Sequence, residues 1–175
     1  MARLDLAVCL AHSGDFARAI SQAKEAIEDF RATGAPVAAR VLHYLVEVLL
    51  IARQPDEGLR VLADAGEPPV AGSSLLMDAA AIDFPRLRGE LLLIKDPPEP
   101  EAAEASFRRG IKLARAHESR WRELQTTIGL ARLLRDTNRR DEARAMLADI
   151  YNWFTEGFDT PDLKDAKALL DELSG

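Results

Sequence analysis

Cysteine, aromatic residues and long apolar runs are scarce in this sequence of 175 residues. The single cysteine, Cys9, excludes an internal disulfide and fits a reducing compartment, and its place in the apolar run of residues 4–11 predicts a small buried side chain. Aromatic residues make up only 6%, while alanine, leucine, arginine and glutamate are frequent, which favours helix over sheet. Because no run approaches about 18 apolar residues, nothing is predicted to span a membrane, and we expect a cytoplasmic protein.

Positive charge is also in short supply. The formal net charge is −6, with 29 acidic residues against 23 lysines and arginines. A general binder of nucleic acid or of anionic membranes needs a basic surface. We therefore expect neither a nucleic-acid partner nor a membrane partner.

Sequence motifs of catalysis and of metal binding are absent. There is no GxxxxGK[ST] phosphate loop and no GxSxG nucleophile turn. The three histidines, His12, His43 and His117, lie far apart, and none has a second ligand at metal-binding spacing. We expect no catalytic residue, no cofactor and no metal site, and hence a protein that is not an enzyme.

Apolar residues recur at intervals of three and four along nearly the whole chain, as they do in amphipathic helices. Short polar breaks and breaks with glycine or proline divide this pattern into pairs of helices. It predicts four helical hairpins and a terminal helix, at residues 2–34, 36–66, 75–117, 119–156 and 160–174. A two-helix hairpin cannot bury its apolar faces alone, so consecutive hairpins are expected to stack.

A repeated small residue sets the register of these hairpins. The second helices carry it at intervals of 39, 45 and 40 residues, as Ala19, Gly58, Ala103 and Ala143. About a dozen residues earlier, the first helices carry the pairs Leu6-Ala7, Leu45-Val46, Arg88-Gly89 and Leu130-Ala131. The predicted fold is all-α: residues 1–175 form one domain, a right-handed α-solenoid of about four hairpins closed by a C-terminal capping helix.

This rhythm of small and bulky residues resembles the tetratricopeptide repeat (TPR), as does the turn of Gly14, Asp15 and Phe16 followed by Ala19. The spacing near 40 residues exceeds the family's usual period of about 34. The consensus tryptophan of the first helix is absent, and Arg88 stands where a leucine is usual, so the repeats are divergent. The resemblance implies a non-catalytic interaction or scaffold module that binds a protein or peptide segment in a concave groove.

A narrower resemblance covers residues 86–173. This stretch is similar to the C-terminal repeat region of large bacterial signalling proteins, which place a class III adenylate/guanylate cyclase or a DNA-binding domain ahead of a P-loop ATPase domain. Its most specific part is WFTEGF at residues 153–158, followed by Thr160, Asp162 and Leu163. The resemblance implies the sensor or regulatory part of a larger bacterial signalling protein, with no nucleotide chemistry of its own.

In stacked hairpins of the TPR kind, the first helices line the concave groove. Mapped onto that arrangement, the chain presents Arg40, His43 and Glu47 in the second repeat, Arg86 and Glu90 in the third, and Arg132, Arg135 and Asp136 in the fourth. Segments bound in such grooves are usually held by mixed polar pairs and apolar pockets. We predict these eight residues as the partner-binding site, the alternative being that they are simply exposed helix residues.

Other interpretations stay open at this point. Residues 37–52 are more apolar than one groove requires, which favours self-association into a homo-oligomer. Residues 66–74, GEPPVAGSS, are the least regular segment, and an effector-binding domain would have its small-molecule site near residues 66–86. Trp153 and Phe154 are interpreted as aromatic packing of the last helix onto the final hairpin, with a ligand platform as the alternative.

Overall fold

The computed structural model describes residues 2–32, 34, 39–66 and 82–175, and only the backbone of Ala2. All regular structure in these residues is helical, as the sequence predicts. The helices are α1 (Ala2–His12), α2 (Phe16–Ala32), α3 (Ala39–Ile51), α4 (Pro55–Ala65), α5 (Phe84–Ile94), α6 (Pro100–Ala116), α7 (Arg120–Asp136), α8 (Arg140–Tyr151) and α9 (Pro161–Ser174). None of these described helices has the length and apolar character needed to cross a bilayer.

The helices pair into hairpins and the hairpins stack. α1 packs on α2, α3 on α4, α5 on α6 and α7 on α8. In addition α1, α3, α5, α7 and α9, here called the first helices, pack side by side in that order, and the second helices are α2, α4, α6 and α8. This arrangement is the predicted right-handed α-solenoid. The predicted segment 67–74 and the predicted start of the third repeat at 75–81 lie outside the described residues.

The predicted register of small residues agrees with burial. Ala19, Gly58, Ala103 and Ala143 are all buried in the second helices. The clearest close approach surrounds Phe107 of α6, which is fully buried. A Cβ added to Gly89 of α5 would lie 2.6 Å from Phe107 Cε1, and one added to Gly129 of α7 would lie 2.9 Å from the same atom. The phenyl ring therefore fills the space of two absent side chains, one on each neighbouring first helix.

The capping helix is held by an apolar stripe. Leu163, Ala166, Leu169 and Leu173 lie on one face of α9, and all four are buried in the core that α7 and α8 contribute to. The remaining face carries charged residues. This helix therefore covers an apolar face of the α7–α8 hairpin.

The prediction for Cys9 is wrong, because its side chain is exposed. α1 buries Leu4, Ala7 and Ala11, which follow one another at three and four residues. Cys9 lies two residues after Ala7, about 200° further around the helix, and so points away from that stripe. The apolar run is longer than the face that α1 buries.

Candidate functional site

Asp83 is fully buried at the N-cap of α5, and its carboxylate meets side chains from three first helices. Its Oδ1 accepts a hydrogen bond from Arg86 Nε over 2.7 Å, and its Oδ2 accepts one from Arg86 Nη2 over 2.6 Å. His43 Nε2 of α3 lies 2.8 Å from Oδ2, and Arg122 Nη1 of α7 lies 3.3 Å from it. Together with Glu90, which accepts a hydrogen bond from Arg86 Nη1 over 2.7 Å, these residues form the Asp83 cluster.

Hydrogen bonds and neighbouring positive charges in the Asp83 cluster keep the Asp83 carboxylate ionised. Burial by itself disfavours the Asp83 carboxylate, yet hydrogen bonds from Arg86 and His43 and the positive charges of Arg86 and Arg122 outweigh it and hold the pKa of Asp83 far below its usual range. Burial also works against the Arg86 guanidinium, but Asp83 and Glu90 raise the pKa of Arg86. An ionised carboxylate only accepts hydrogen bonds, so His43 Nε2 is the donor in its hydrogen bond with Asp83.

Further polar contacts extend this link to both ends of the row of first helices. On the C-terminal side, Arg122 Nη1 donates to Gln125 Oε1 over 2.9 Å, and Gln125 Nε2 donates to Asp162 Oδ2 of α9 over 3.2 Å. On the N-terminal side, burial, the charge of Asp5 on α1 and a hydrogen bond to that carboxylate raise the pKa of Tyr44 on α3. Side chains on one face thus tie each first helix to the row. This surface, here called the first-helix face, includes Asp5, Tyr44, the Asp83 cluster, Gln125 and Asp162.

Three of the eight predicted residues meet in one place. His43, Arg86 and Glu90 all belong to the Asp83 cluster. Arg40 and Glu47 lie on α3, where Arg40 is exposed and Glu47 is half-buried. These three residues pair within the chain, and the centre of their cluster, Asp83, is a residue outside the predicted set.

Of the other three predicted residues, Arg132 and Arg135 contact the capping helix, and Asp136 pairs with Arg135. Arg132 Nη2 lies 2.6 Å from Asp165 Oδ1 of α9. Arg135 Nη1 lies 3.0 Å from Glu172 Oε2 of α9, and Arg135 Nε lies 2.8 Å from Asp136 Oδ1. The two arginines are engaged within the chain, and they fasten α9 to α7.

Asp83 and Arg122 were missed by the sequence analysis. A signal for Asp83 is present, since Asp83, like Arg40 and Gln125, stands six residues before the buried second member of a first-helix pair. If this spacing of six residues is applied to the last three repeats, Arg40, Asp83 and Gln125 are predicted to lie on the same face. No comparable signal marks Arg122, because its contact with Asp83 joins two residues 39 positions apart in a fold whose repeat lengths vary.

Apolar α3 is buried within the chain. Its side chains Val41, Leu45, Val46, Val48 and Leu49 have almost no exposed surface. They meet α1, α2, α4 and α5, which surround the helix. The apolar excess that favoured self-association from the sequence is thus used in the solenoid's own core.

A cleft of about 470 Å³ opens between α4, α5 and α6. Its walls are mostly apolar, with two arginines and one serine, and include Gly66, Phe84, Pro85, Arg88, Ser106 and Arg109. Three of these lie within residues 66–86, where the sequence suggested an effector site.

Comparisons with known proteins bear on the fold. No protein-family model matches the chain, and no curated protein matches its sequence significantly. Among solved structures, this chain is similar to the crystal structure of a Podospora anserina protein assigned as a kinesin light chain, described as having nearly identical TPR-like repeats. The TM-score is 0.71 at 12% sequence identity, and the match covers 98% of this chain and 83% of that chain. The likeness confirms the TPR-like solenoid predicted from the sequence.

Proposed function

We propose that this chain is a protein-interaction module that binds a segment of a protein partner along the first-helix face. The observation that carries the proposal is the row of charged and polar side chains that runs over consecutive first helices, from Tyr44 on α3 through the Asp83 cluster to Asp162 on α9. Side chains of both signs on one continuous face can pair with an extended segment of mixed charge.

Preorganisation adds to the suitability of this face. The guanidinium of Arg86 is fixed by Asp83 on one side and by Glu90 on the other, and its side chain is 14% exposed. A partner that pairs with Glu90, whose side chain is 29% exposed, would meet a group that is already held in place. Binding to such a group costs less conformational entropy than ordering a free surface side chain.

Site-specific photocrosslinking tests the proposal. A photoreactive benzoylphenylalanine would replace Arg40 or Glu47, which lie on the first-helix face outside the Asp83 cluster, in cells that produce the protein. The matched control replaces Arg60, which is exposed on the second helix α4. We expect protein adducts, identified by mass spectrometry, from positions 40 and 47 and none from 60. Equal labelling from all three positions would show nonspecific contact and contradict the assignment.

The finer proposal is that this module is the C-terminal sensor or regulatory part of a larger bacterial signalling protein. It rests on the similarity of residues 86–173 to the repeat region of such proteins, above all in WFTEGF at residues 153–158. An immunoblot of the source cells with an antibody against this segment would show a band far above 19.3 kDa. A band at 19.3 kDa would instead mean a free-standing repeat protein.

A second candidate function is binding of a small effector in the cleft between α4, α5 and α6. The volume of about 470 Å³ and the apolar walls with Arg88 suit an apolar molecule with a carboxylate. Aromatic carboxylates should then shift the amide NMR signals of Ala105 and Ser106, and Ala105→Trp, which fills the cleft, should abolish the shifts. Shifts that persist in the Ala105→Trp protein would place the ligand elsewhere.

A further inference from the structure

An exposed group of aromatic side chains lies where the start of α7 meets the connection between α8 and α9. Trp121, Trp153 and Phe158 expose 37%, 55% and 46% of their surface. Phe154 between the tryptophans is half-buried and packs against the core, in agreement with the predicted packing role, whereas Trp153 stays outside it. Trp121, Trp153, Phe154 and Phe158 are here called the aromatic platform.

The rings of the platform are arranged by edge-to-face contacts. Phe154 is nearly perpendicular to both tryptophans, at 81° to Trp121 and 86° to Trp153. Its centroid lies 5.9 Å from that of Trp121 and 5.2 Å from that of Trp153, so the two tryptophan centroids are at most about 11 Å apart. Phe158 is held separately by Tyr151, at a centroid distance of 5.7 Å. The tryptophans are thus fixed relative to each other while much of their surface faces solvent.

The surroundings of the platform favour a basic ligand. The guanidinium of Arg120 lies 5.6 Å from the ring centroid of Trp153, a cation–π contact within the chain that an arginine of the ligand would displace or join. In the sequence, Glu156 lies between Phe154 and Phe158, and Asp159 follows Phe158. Both acids are exposed, as is Glu118 just before α7. Acidic side chains around aromatic rings complement a segment with arginine or lysine.

We propose that the aromatic platform binds a basic, proline-rich segment in the polyproline II conformation. Aromatic-lined surfaces recognise such segments because the extended helix is formed before binding and proline rings pack flat on aromatic rings. Residues three apart in this helix lie on one face about 9 Å apart, which is within the upper limit of about 11 Å for the separation of Trp121 and Trp153. The basic residues between the prolines then reach Glu118, Glu156 and Asp159. None of the platform residues belongs to the row of polar side chains on the first-helix face, and this proposal does not depend on that row.

Tryptophan fluorescence gives a direct test, because the two tryptophans of the chain both belong to the platform. The 175-residue chain would be titrated with a 12-residue peptide of four Pro-Pro-Arg repeats, which carries no aromatic residue. Saturable change in emission is expected. Trp153→Ala, with Trp121 left as the reporter, should weaken binding by about fivefold or more. Circular dichroism checks that the variant keeps its helicity.

Matched controls separate the parts of the proposal. Phe16→Ala removes an aromatic side chain of similar exposure, 42%, from α2 and should leave peptide affinity unchanged. A peptide of four Gly-Gly-Arg repeats should bind much more weakly, and one of four Pro-Pro-Glu repeats should not bind. Equal binding of the Gly-Gly-Arg peptide would reduce the site to charge alone and overturn the proposal. No binding of the Pro-Pro-Arg peptide, or dimerisation of the protein that Trp153→Ala abolishes, would overturn it as well.

Discussion

The carboxylate of Asp83 accepts two hydrogen bonds from the guanidinium of Arg86, three residues later on α5, over 2.7 and 2.6 Å. The same carboxylate is within reach of His43 on α3 and Arg122 on α7. One buried acid thus sets the relative positions of three consecutive first helices. Since hairpins in a solenoid contact only their neighbours, such a link between stacked repeats fixes the shape of the face that they share.

Replacing Asp83 by alanine should reduce the free energy of unfolding by about 3–5 kcal/mol, because Arg86 is left buried without its main counter-charge. Urea denaturation followed by circular dichroism measures the change. The matched control is Asp165→Ala, which removes the partner of Arg132 on an exposed surface and should cost less than about 1 kcal/mol. An effect of Asp83→Ala as small as that expected for Asp165→Ala would show that the Asp83 cluster contributes little to stability.

Stability should fall with decreasing pH through the protonation of Asp83. Its pKa in the folded chain lies below that of an unfolded aspartate, about 3.9, so the stabilisation is complete above that value and is lost as the pH falls toward the folded pKa. Glu104 and Glu142 also have lowered pKa values, through hydrogen bonds from Arg139 and Arg108 respectively, and act in the same direction.

Comparison with Asp83→Ala isolates the contribution of Asp83 to this pH dependence. Urea unfolding at pH 7, 5, 4 and 3 should give a shallower loss of stability for the variant, since it lacks the titrating group while Glu104 and Glu142 are unchanged. Parallel curves for the two proteins would mean that Asp83 does not titrate differently in the folded and unfolded chains.

Helical periodicity was sufficient to predict the hairpins and their register, because burial of small residues such as Ala103 and Ala143 repeats with the fold itself. It was not sufficient to predict which polar side chains pair between helices. Arg132, for example, pairs with Asp165, 33 residues later. Such pairings depend on the stagger of neighbouring helices, which repeat spacings of 39 to 45 residues leave undetermined.

Gly89 is predicted to be intolerant of even one added methyl group. Alanine would gain about 1 kcal/mol in helix propensity, but its Cβ would lie 2.6 Å from Cε1 and 2.7 Å from Cζ of Phe107, a fully buried ring. Overpacking of this kind costs about 1–3 kcal/mol, so Gly89→Ala should be destabilising overall. Thermal denaturation measures the effect.

A double-mutant cycle with Phe107→Leu tests the cause. Leucine lacks Cε1 and Cζ, the two ring atoms nearest to the added Cβ, so in that background Gly89→Ala should cost clearly less. The double variant would then be more stable than the sum of the two single effects on the free energy of unfolding implies. An unchanged cost of Gly89→Ala in the Phe107→Leu background would show that another contact is responsible.

One left-handed residue recurs in the turns within the hairpins. Gly14 (φ 88°), Arg53 (φ 54°) and Asn138 (φ 61°) each stand two residues before the second helix begins. The backbone hydrogen bonds around them are also alike: Arg53 N donates to Leu50 O over 3.0 Å, as Gly14 N does to Ala11 O over 3.1 Å. The turn is therefore shared by three of the four hairpins, and glycine suits it better than arginine does.

Arg53→Gly should accordingly stabilise the chain. A left-handed conformation costs a non-glycine residue about 1–2 kcal/mol, and the greater freedom of glycine in the unfolded chain offsets about 0.4–1 kcal/mol of that gain. We expect a net increase of about 0.5–1 kcal/mol in the free energy of unfolding, measured with urea. Asn138→Gly should give less, since asparagine tolerates this conformation. Arg60→Gly, inside α4, should instead cost about 1 kcal/mol. A loss of stability in Arg53→Gly would indicate that the arginine side chain makes a contact that outweighs the strain of its backbone.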